Sequence, residues 1–337
     1  MVENFGTLPN GKISKLYTIS CGLMFAKVAD LGATLVQLYV PDRHGHLSDV
    51  VLGFDDPAHY IASSTFFGAT IGRNANRVKN ACFILNNTTC VMGANEGNNN
   101  LHSGPDYWKD RLWQVTNHTA SAITLTLHSP HGDQGFPGNA DITVTYALEQ
   151  DSLRITYEAI SDRDTVFNLT NHSYFNLAGH DHPEKALSQQ LCMPARFFHP
   201  DDAQNIPTGQ LQPVANTPMD FRVPKALGQD IHADFAPLHL QAGYDHNFEV
   251  FCNPCAILSD PESGREMAVY TDCPGVQIYS ANYTNEVGKQ GIRYPKRSGL
   301  CLETQFYPDS LNHPEWPQPI TKAGQTYRSE TTFRFSW

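Results

Sequence analysis

The chain has 337 residues, with 23 Lys and Arg against 34 Asp and Glu, a formal net charge of -11. That sign argues against a protein that binds by neutralising phosphates, so nucleic acid is not an expected partner, while 40% apolar and 17% charged residues describe a folded globular chain. No apolar run approaches the ~20 residues of a membrane helix, and the N-terminal segment lacks a basic stretch followed by an apolar one; a cytoplasmic protein with no membrane partner is expected.

Gly (24) and Pro (22) are frequent enough to make turns common and strands short. In chain order, the first strand candidate is GATLVQLYV at 32–40. Three clearly alternating segments follow: Ile123, Leu125 and Leu127; Ile142, Val144, Tyr146 and Leu148; Leu153, Ile155, Tyr157 and Ala159. Apolar residues at every second position are the mark of a half-buried strand, and the short links predict an antiparallel meander. A further strand is predicted around 167–177, long ordered loops over 178–245, and strands at 275–283, 299–307 and the C-terminal TTFRFSW. No segment carries a long amphipathic helical period. The fold class expected is all-β, a single large antiparallel β-sandwich over 1–337. The eight cysteines have no repeating spacing, which predicts free thiols, and the lone Cys252/Cys255 pair is too little for a metal or redox site.

Three of these strands present a polar face. Near residue 170 the even positions Asn168, Thr170, His172, Tyr174 and Asn176 are polar and the odd ones mostly apolar. In GLCLETQFY, Leu300, Leu302 and Phe306 form the apolar side, against Cys301, Glu303, Gln305 and Tyr307; in GVQIYSANY, Val276 and Ile278 alternate with Gln277 and Tyr279. Glu303, with no Lys or Arg nearby in sequence, is expected to be partly desolvated. Polar groups interleaved with aromatic rings suit a sugar, whose hydroxyls hydrogen-bond and whose C–H face packs on a ring. Each strand alone reads more readily as a solvated sheet face, and Arg73 and Arg77 as surface ion-pair partners.

The combination is more specific. GATIGRNANRV (68–78), NLHSG (100–104), TNHSYFNLAG (170–179), GYDHNF (243–248), PGVQIYSANY (274–283) and LETQFYPDSLNHPEWP (302–317) resemble, in this order, the motifs of the aldose 1-epimerases, or galactose mutarotases. The resemblance implies a galactose mutarotase-like supersandwich and an isomerase of carbohydrate metabolism that interconverts the α and β anomers of free aldohexoses such as glucose and galactose. It assigns the general base to Glu303, the general acid to His172 and a supporting role to His102. Asn76, Arg77, Tyr174, Asp245 and Gln277 become sugar-binding residues. Ser103 departs from the family pattern, which has glycine there, and a serine is less free in backbone conformation.

Such chemistry needs proton transfer at two oxygens and no metal, cofactor or nucleotide. An acid charged before substrate arrives would require nearby carboxylates, Asp245 among them, to raise the His172 pKa. The alternatives are a hexose-6-phosphate 1-epimerase, for which Arg73, Arg77 and Arg111 would supply cations, and a non-catalytic sugar-binding sensor on the same fold. Oligomeric state and the preferred aldose are not legible.

Overall fold

Residues 1–337 are described by a computed structural model. The alternating segments pair as expected: Ala122–Ser129, Ala140–Leu148 and Ser152–Ser161 run antiparallel, with Ile123 opposite Tyr146 and Tyr146 opposite Ile155, all fully buried. Gln114–His118 lies outside them, and Thr326–Ser336, Glu266–Thr271, Ala256–Ser259, Gln190–Cys192 and Lys225–Ala226 complete a nine-stranded sheet. A six-stranded antiparallel sheet runs Tyr174–Phe175, Leu300–Gln305, Gly275–Tyr279, Asp245–Glu249, Phe197–Phe198, Gln212–Pro213. An N-terminal five-stranded sheet, from Val2–Thr7 to Leu47–Asp49, includes the 32–40 candidate as Thr34–Pro41.

The two large sheets bury one face of each against the other. Val276, Ile278, Leu300 and Leu302 share a hydrophobic cluster with Met267, Val269, Phe333 and Phe335, and the Phe175 and Phe333 rings lie 4.9 Å apart. Ile19, Met24, Ala26 and Val28 of the N-terminal sheet join the same cluster. Burying each such aliphatic side chain contributes about 1.5–3 kcal/mol. Because side chains alternate along a strand, burial of Leu300 and Leu302 turns Cys301 and Glu303 to the opposite face.

Two expectations need correction. The segment 167–177 is not one strand: Thr165–Val166 pairs with Ile320–Thr321, Thr170–Asn171 with Thr70–Ile71, and Tyr174–Phe175 with Leu300–Cys301. The chain changes partner every few residues, so its apolar positions are buried, but by three different neighbours. The polar faces, moreover, are not solvated; every residue of Leu300–Gln305 is buried, Glu303 included. The loops of 178–245 are ordered as expected, and their short strands extend both large sheets.

Two buried histidines carry a pH signature. Burial lowers the pKa of His199 to about 4 and of His246 to about 3. A depressed histidine stabilises the fold above its unfolded value near 6.5, and that contribution is lost as pH falls through the folded value. For His199, packed on Tyr307 and Trp316 at 4.3 and 4.8 Å, the loss is on the order of 3 kcal/mol between about pH 6.5 and 4. A His199→Phe variant should therefore lose less thermal stability than wild type between pH 7 and 4.5, measured by calorimetry.

Candidate active site

Strand pairing fixes the site. Across the six-stranded sheet, Tyr174 opposes Cys301, Cys301 opposes Tyr279 and Tyr279 opposes Asp245; one step along, Glu303 opposes Gln277 and Gln277 opposes Asn247. These side chains point away from the nine-stranded sheet, and Tyr174, Tyr279, Asp245 and Glu303 among them line a cavity of about 330 Å³ together with Asn76, Arg77, His102 and His172. Such a volume lies in the range of small-molecule sites.

His172 follows Thr170–Asn171 in the stretch that crosses from one pairing partner to the next. Its backbone N–H donates to Ala69 (3.0 Å) and its carbonyl accepts from Gly68 (3.0 Å). Its Nε2 faces Glu303 Oε1 at 3.6 Å, and its Nδ1 lies 3.6 Å from the Cys301 thiol. Both members are nearly inaccessible, His172 at 5% and Glu303 at 2% exposure. Burial lowers the His172 pKa to about 4. It pushes Glu303 well above its usual value, with Asp245 adding to the rise and Arg77 opposing it. The expectation that carboxylates raise His172 is thus overturned: desolvation dominates, and Asp245 acts on Glu303 instead.

His102 sits in a loop fastened to Asn76. Its backbone N–H donates to the Asn76 carbonyl (3.0 Å), and the Asn76 N–H donates to His102 Nδ1 (3.1 Å). A backbone N–H can only donate, so Nδ1 carries the lone pair and Nε2 the proton. Ser103 adopts φ +59° despite not being glycine; its N–H donates to Asn100 Oδ1, its hydroxyl donates to the Asn74 carbonyl, and that hydroxyl accepts the Asn74 N–H. The serine thus replaces a glycine's freedom with two side-chain hydrogen bonds.

Arg77 is no surface cation. Its Nε and Nη2 donate to the two Glu96 oxygens at 2.7 and 3.0 Å, and its Nη1 lies 3.7 Å from Asp245 Oδ2. Burial works to lower its pKa, but Asp245 and Glu96 overcome this and the net shift is upward. Gln277 is absent from the cavity wall: its amide donates to Asp245 Oδ1 at 2.7 Å, so it holds Asp245 from behind. The Tyr174 hydroxyl donates to the Thr65 carbonyl at 2.7 Å, leaving its ring to face the cavity. Asn76 lines the cavity with φ +64°, its Oδ1 accepting the Arg77 N–H.

Arg73 stands apart. It is fully buried, and its guanidinium donates to Ser129, Thr165 and the carbonyls of Ser129, Pro130, Pro137 and Gly138. Burial lowers its pKa to about 10. Arg111 is engaged by Asp133 and Asp106.

A family model described as aldose 1-epimerase matches residues 15–334. Galactose mutarotase from Homo sapiens is 38% identical over 98% of this chain and 97% of its own length, and aldose 1-epimerase from Escherichia coli strain K12 is 35% identical over 97% and 96%. The chain belongs to the aldose 1-epimerase family. Among solved structures, a GalM/aldose epimerase homologue from C. elegans superposes with a TM-score of 0.88 at 30% identity, covering 96% of this chain and 99% of that one. A galactose 1-epimerase from Lactobacillus acidophilus gives 0.87 at 27%, covering 100% and 98%. The protein is therefore an isomerase with the galactose mutarotase-like fold that the motifs implied.

Within this epimerase, the cavity also contains residues that the motifs did not assign. Tyr279 shares the alternating face of Gln277, a signal that was available in the sequence. Phe66 and Glu96 come from irregular loops, where no periodicity marks a side chain's direction.

His102, His172 and Glu303 have ligand atoms within 4.8 Å of one another, close enough for a metal. The donor set does not fit one, because metal binding at His102 Nε2 would need the lone pair there, and the Asn76 N–H has placed it on Nδ1. Enzyme dialysed against EDTA should keep its full rate of mutarotation in polarimetry.

Proposed function

We propose that Glu303 and His172 carry the acid–base chemistry by which this aldose 1-epimerase interconverts the α and β anomers of free aldoses, glucose and galactose among them. One observation carries the reading: a buried carboxyl and a buried imidazole face each other at 3.6 Å beside the cavity, and burial moves their proton affinities in opposite directions.

Ring opening needs one group to take the proton of the C1 hydroxyl while another gives a proton to the ring oxygen; closure on the other carbonyl face reverses both transfers. A pair sharing a single proton suffices. In this buried pair that proton rests on Glu303, because desolvation disfavours both charged forms. The productive distribution, Glu303 ionised and His172 protonated, has the same proton count, and a hydrogen bond from the C1 hydroxyl to the carboxylate favours it. Glu303 then acts as base and His172 as acid. The protonated Nε2 of His102 donates to oxygen as the carbonyl develops. Arg77 and Asp245, braced by Glu96 and Gln277, hold ring hydroxyls so that C1 lies between acid and base, while Asn76 and the Tyr174 ring complete the sugar contacts.

The charge around the cavity favours a neutral sugar over a sugar phosphate. Arg77 is the one Lys or Arg in its wall, against Glu96, Asp245 and Glu303, and Arg73 and Arg111 are occupied elsewhere. A phosphate dianion would meet three carboxyl groups and no free guanidinium fork. Retention of both acid and base argues for an enzyme over a sensor. A cytoplasmic address belongs to the same reading, supported by eight cysteines that are all free thiols.

In polarimetry of freshly dissolved α-D-glucose and α-D-galactose, Glu303→Gln and His172→Asn should each lower kcat by about 10²- to 10⁴-fold. Wild-type rates in either folded variant would refute the assignment. The pH–rate profile should be bell-shaped. Its acid limb lies near 4, where His172 gains a second proton for the pair and no base remains; its basic limb lies above the ordinary carboxylate range, where Glu303 ionises and no acid remains.

A further inference from the structure

Phe66 lies outside the six motifs, in the loop between the helix Pro57–Ala62 and Thr70–Ile71, with φ +58°. A bulky residue rarely adopts that left-handed conformation. The loop is held there by the backbone of the catalytic segment. The Gly68 N–H donates to the His172 carbonyl, the His172 N–H to the Ala69 carbonyl, and the Asn171 side chain to the Gly68 carbonyl, at 3.0, 3.0 and 2.8 Å. Gly68 has φ +64°, and a Cβ there would fall 2.0 Å from the Leu35 carbonyl oxygen, so the close approach demands glycine. The Phe66 ring is therefore placed relative to His172 by main-chain hydrogen bonds.

That placement brings the ring alongside the imidazole. The Phe66 ring lies 5.7 Å from the His172 ring at 18°, and the Tyr174 ring 5.1 Å from it at 19°. The titratable groups around His172 are Glu303 and Cys301 from strand Leu300–Gln305, His102 at 5.3 Å, and Tyr279 at 6.4 Å from the neighbouring strand. On the far side of the loop, Lys109 Nζ is 5.8 Å from the Phe66 ring, but it is held by Asp110 and the Tyr60 carbonyl. His102 offers His172 no negative charge; before ring opening a protonated His172 faces the Glu303 carboxylate at its Nε2 edge, while the Phe66 and Tyr174 rings lie near-parallel to its plane.

We propose that Phe66 is a positioning residue for the epimerase reaction: its ring fixes the plane of the His172 imidazole and stabilises the positive charge that His172 carries as general acid. The inference rests on the role given above to His172. A cation near an aromatic face is attracted by the ring quadrupole, more strongly when desolvated, and near-parallel stacking also restrains rotation of the imidazole. Tyr174 contributes likewise but is tied to Thr65 and the sheet, so Phe66 is the member whose ring can be altered without disturbing strand pairing.

The test compares wild type with Phe66→Tyr, Phe66→Leu and a trifluorinated phenylalanine at position 66, which keeps the shape and weakens the quadrupole. Polarimetry gives kcat and KM, and NMR of ring-labelled histidine follows the titration of His172. Phe66→Leu is expected to lower kcat about tenfold with KM within about twofold, the fluorinated ring to fall between, and Phe66→Tyr to stay near wild type. The His172 titration should move to lower pH in the leucine and fluorinated variants. Should the fluorinated enzyme match wild type in kcat and in the His172 titration, Phe66 only packs and the inference is overturned, even if Phe66→Leu is slow or unfolded. His172→Asn in the same assay separates the two ideas: wild-type activity there removes the acid role itself, whereas an inactive His172→Asn with a flat Phe66 series removes this inference alone.

Discussion

The catalytic constellation depends on the pairing register of one strand. Leu300–Gln305 lies between Tyr174–Phe175 and Gly275–Tyr279, with Leu300 and Leu302 in the inter-sheet core. A slip of one residue would turn the leucines into the cavity and Glu303 into the core. The burial that stabilises the sandwich is therefore the same force that aims the carboxyl, and Gln277, Tyr279 and Asp245 follow from it by register. The floor of the site is a consequence of the core.

The second constraint is desolvation. A carboxyl and an imidazole taken out of water both resist ionisation, which favours one proton shared between two atoms 3.6 Å apart. Permanently charged partners would bind that proton too firmly to one side for a reaction whose forward and reverse transfers must both be easy. The one cation in the cavity wall, Arg77, is shared between Glu96 and Asp245 and does not contact the Glu303–His172 pair directly. Polar contacts can thus orient hydroxyls without fixing the acid–base pair in one state.

The walls are built differently from the floor. Phe66, Asn76, His102 and Ser103 all have positive φ, and a non-glycine residue in such a conformation costs of order 1–3 kcal/mol unless its surroundings impose it. Here they do. Gly68 and Ala69 are tied to His172, Asn76 and His102 are tied to each other, and the Ser103 hydroxyl bridges the Asn74 backbone. Loops held this way can present side chains in directions that a strand's strict alternation does not offer.

These two kinds of construction explain what could be read from the sequence. Period-two alternation showed the meander of 122–161, the core side of Leu300 and Leu302 and the polar side of Glu303, because a strand's geometry is local and repeats. The ordered motifs identified the family, and with it His172, His102 and Arg77. Alternation failed around 165–177, where the chain takes three partners in succession, and it missed most of the N-terminal sheet. It could not distinguish a solvated face from one roofed by loops, so it misjudged the environment of His172. The sequence alone determined the fold class, which is written in local alternation, and its family motifs marked Glu303 and His172 as the candidate base and acid. Only the tertiary structure decided burial, the sharing of one proton, the withdrawal of Arg73 into the interior, Gln277 behind Asp245, and Phe66 and Glu96 in the cavity, because these depend on which distant segments exclude water from one another.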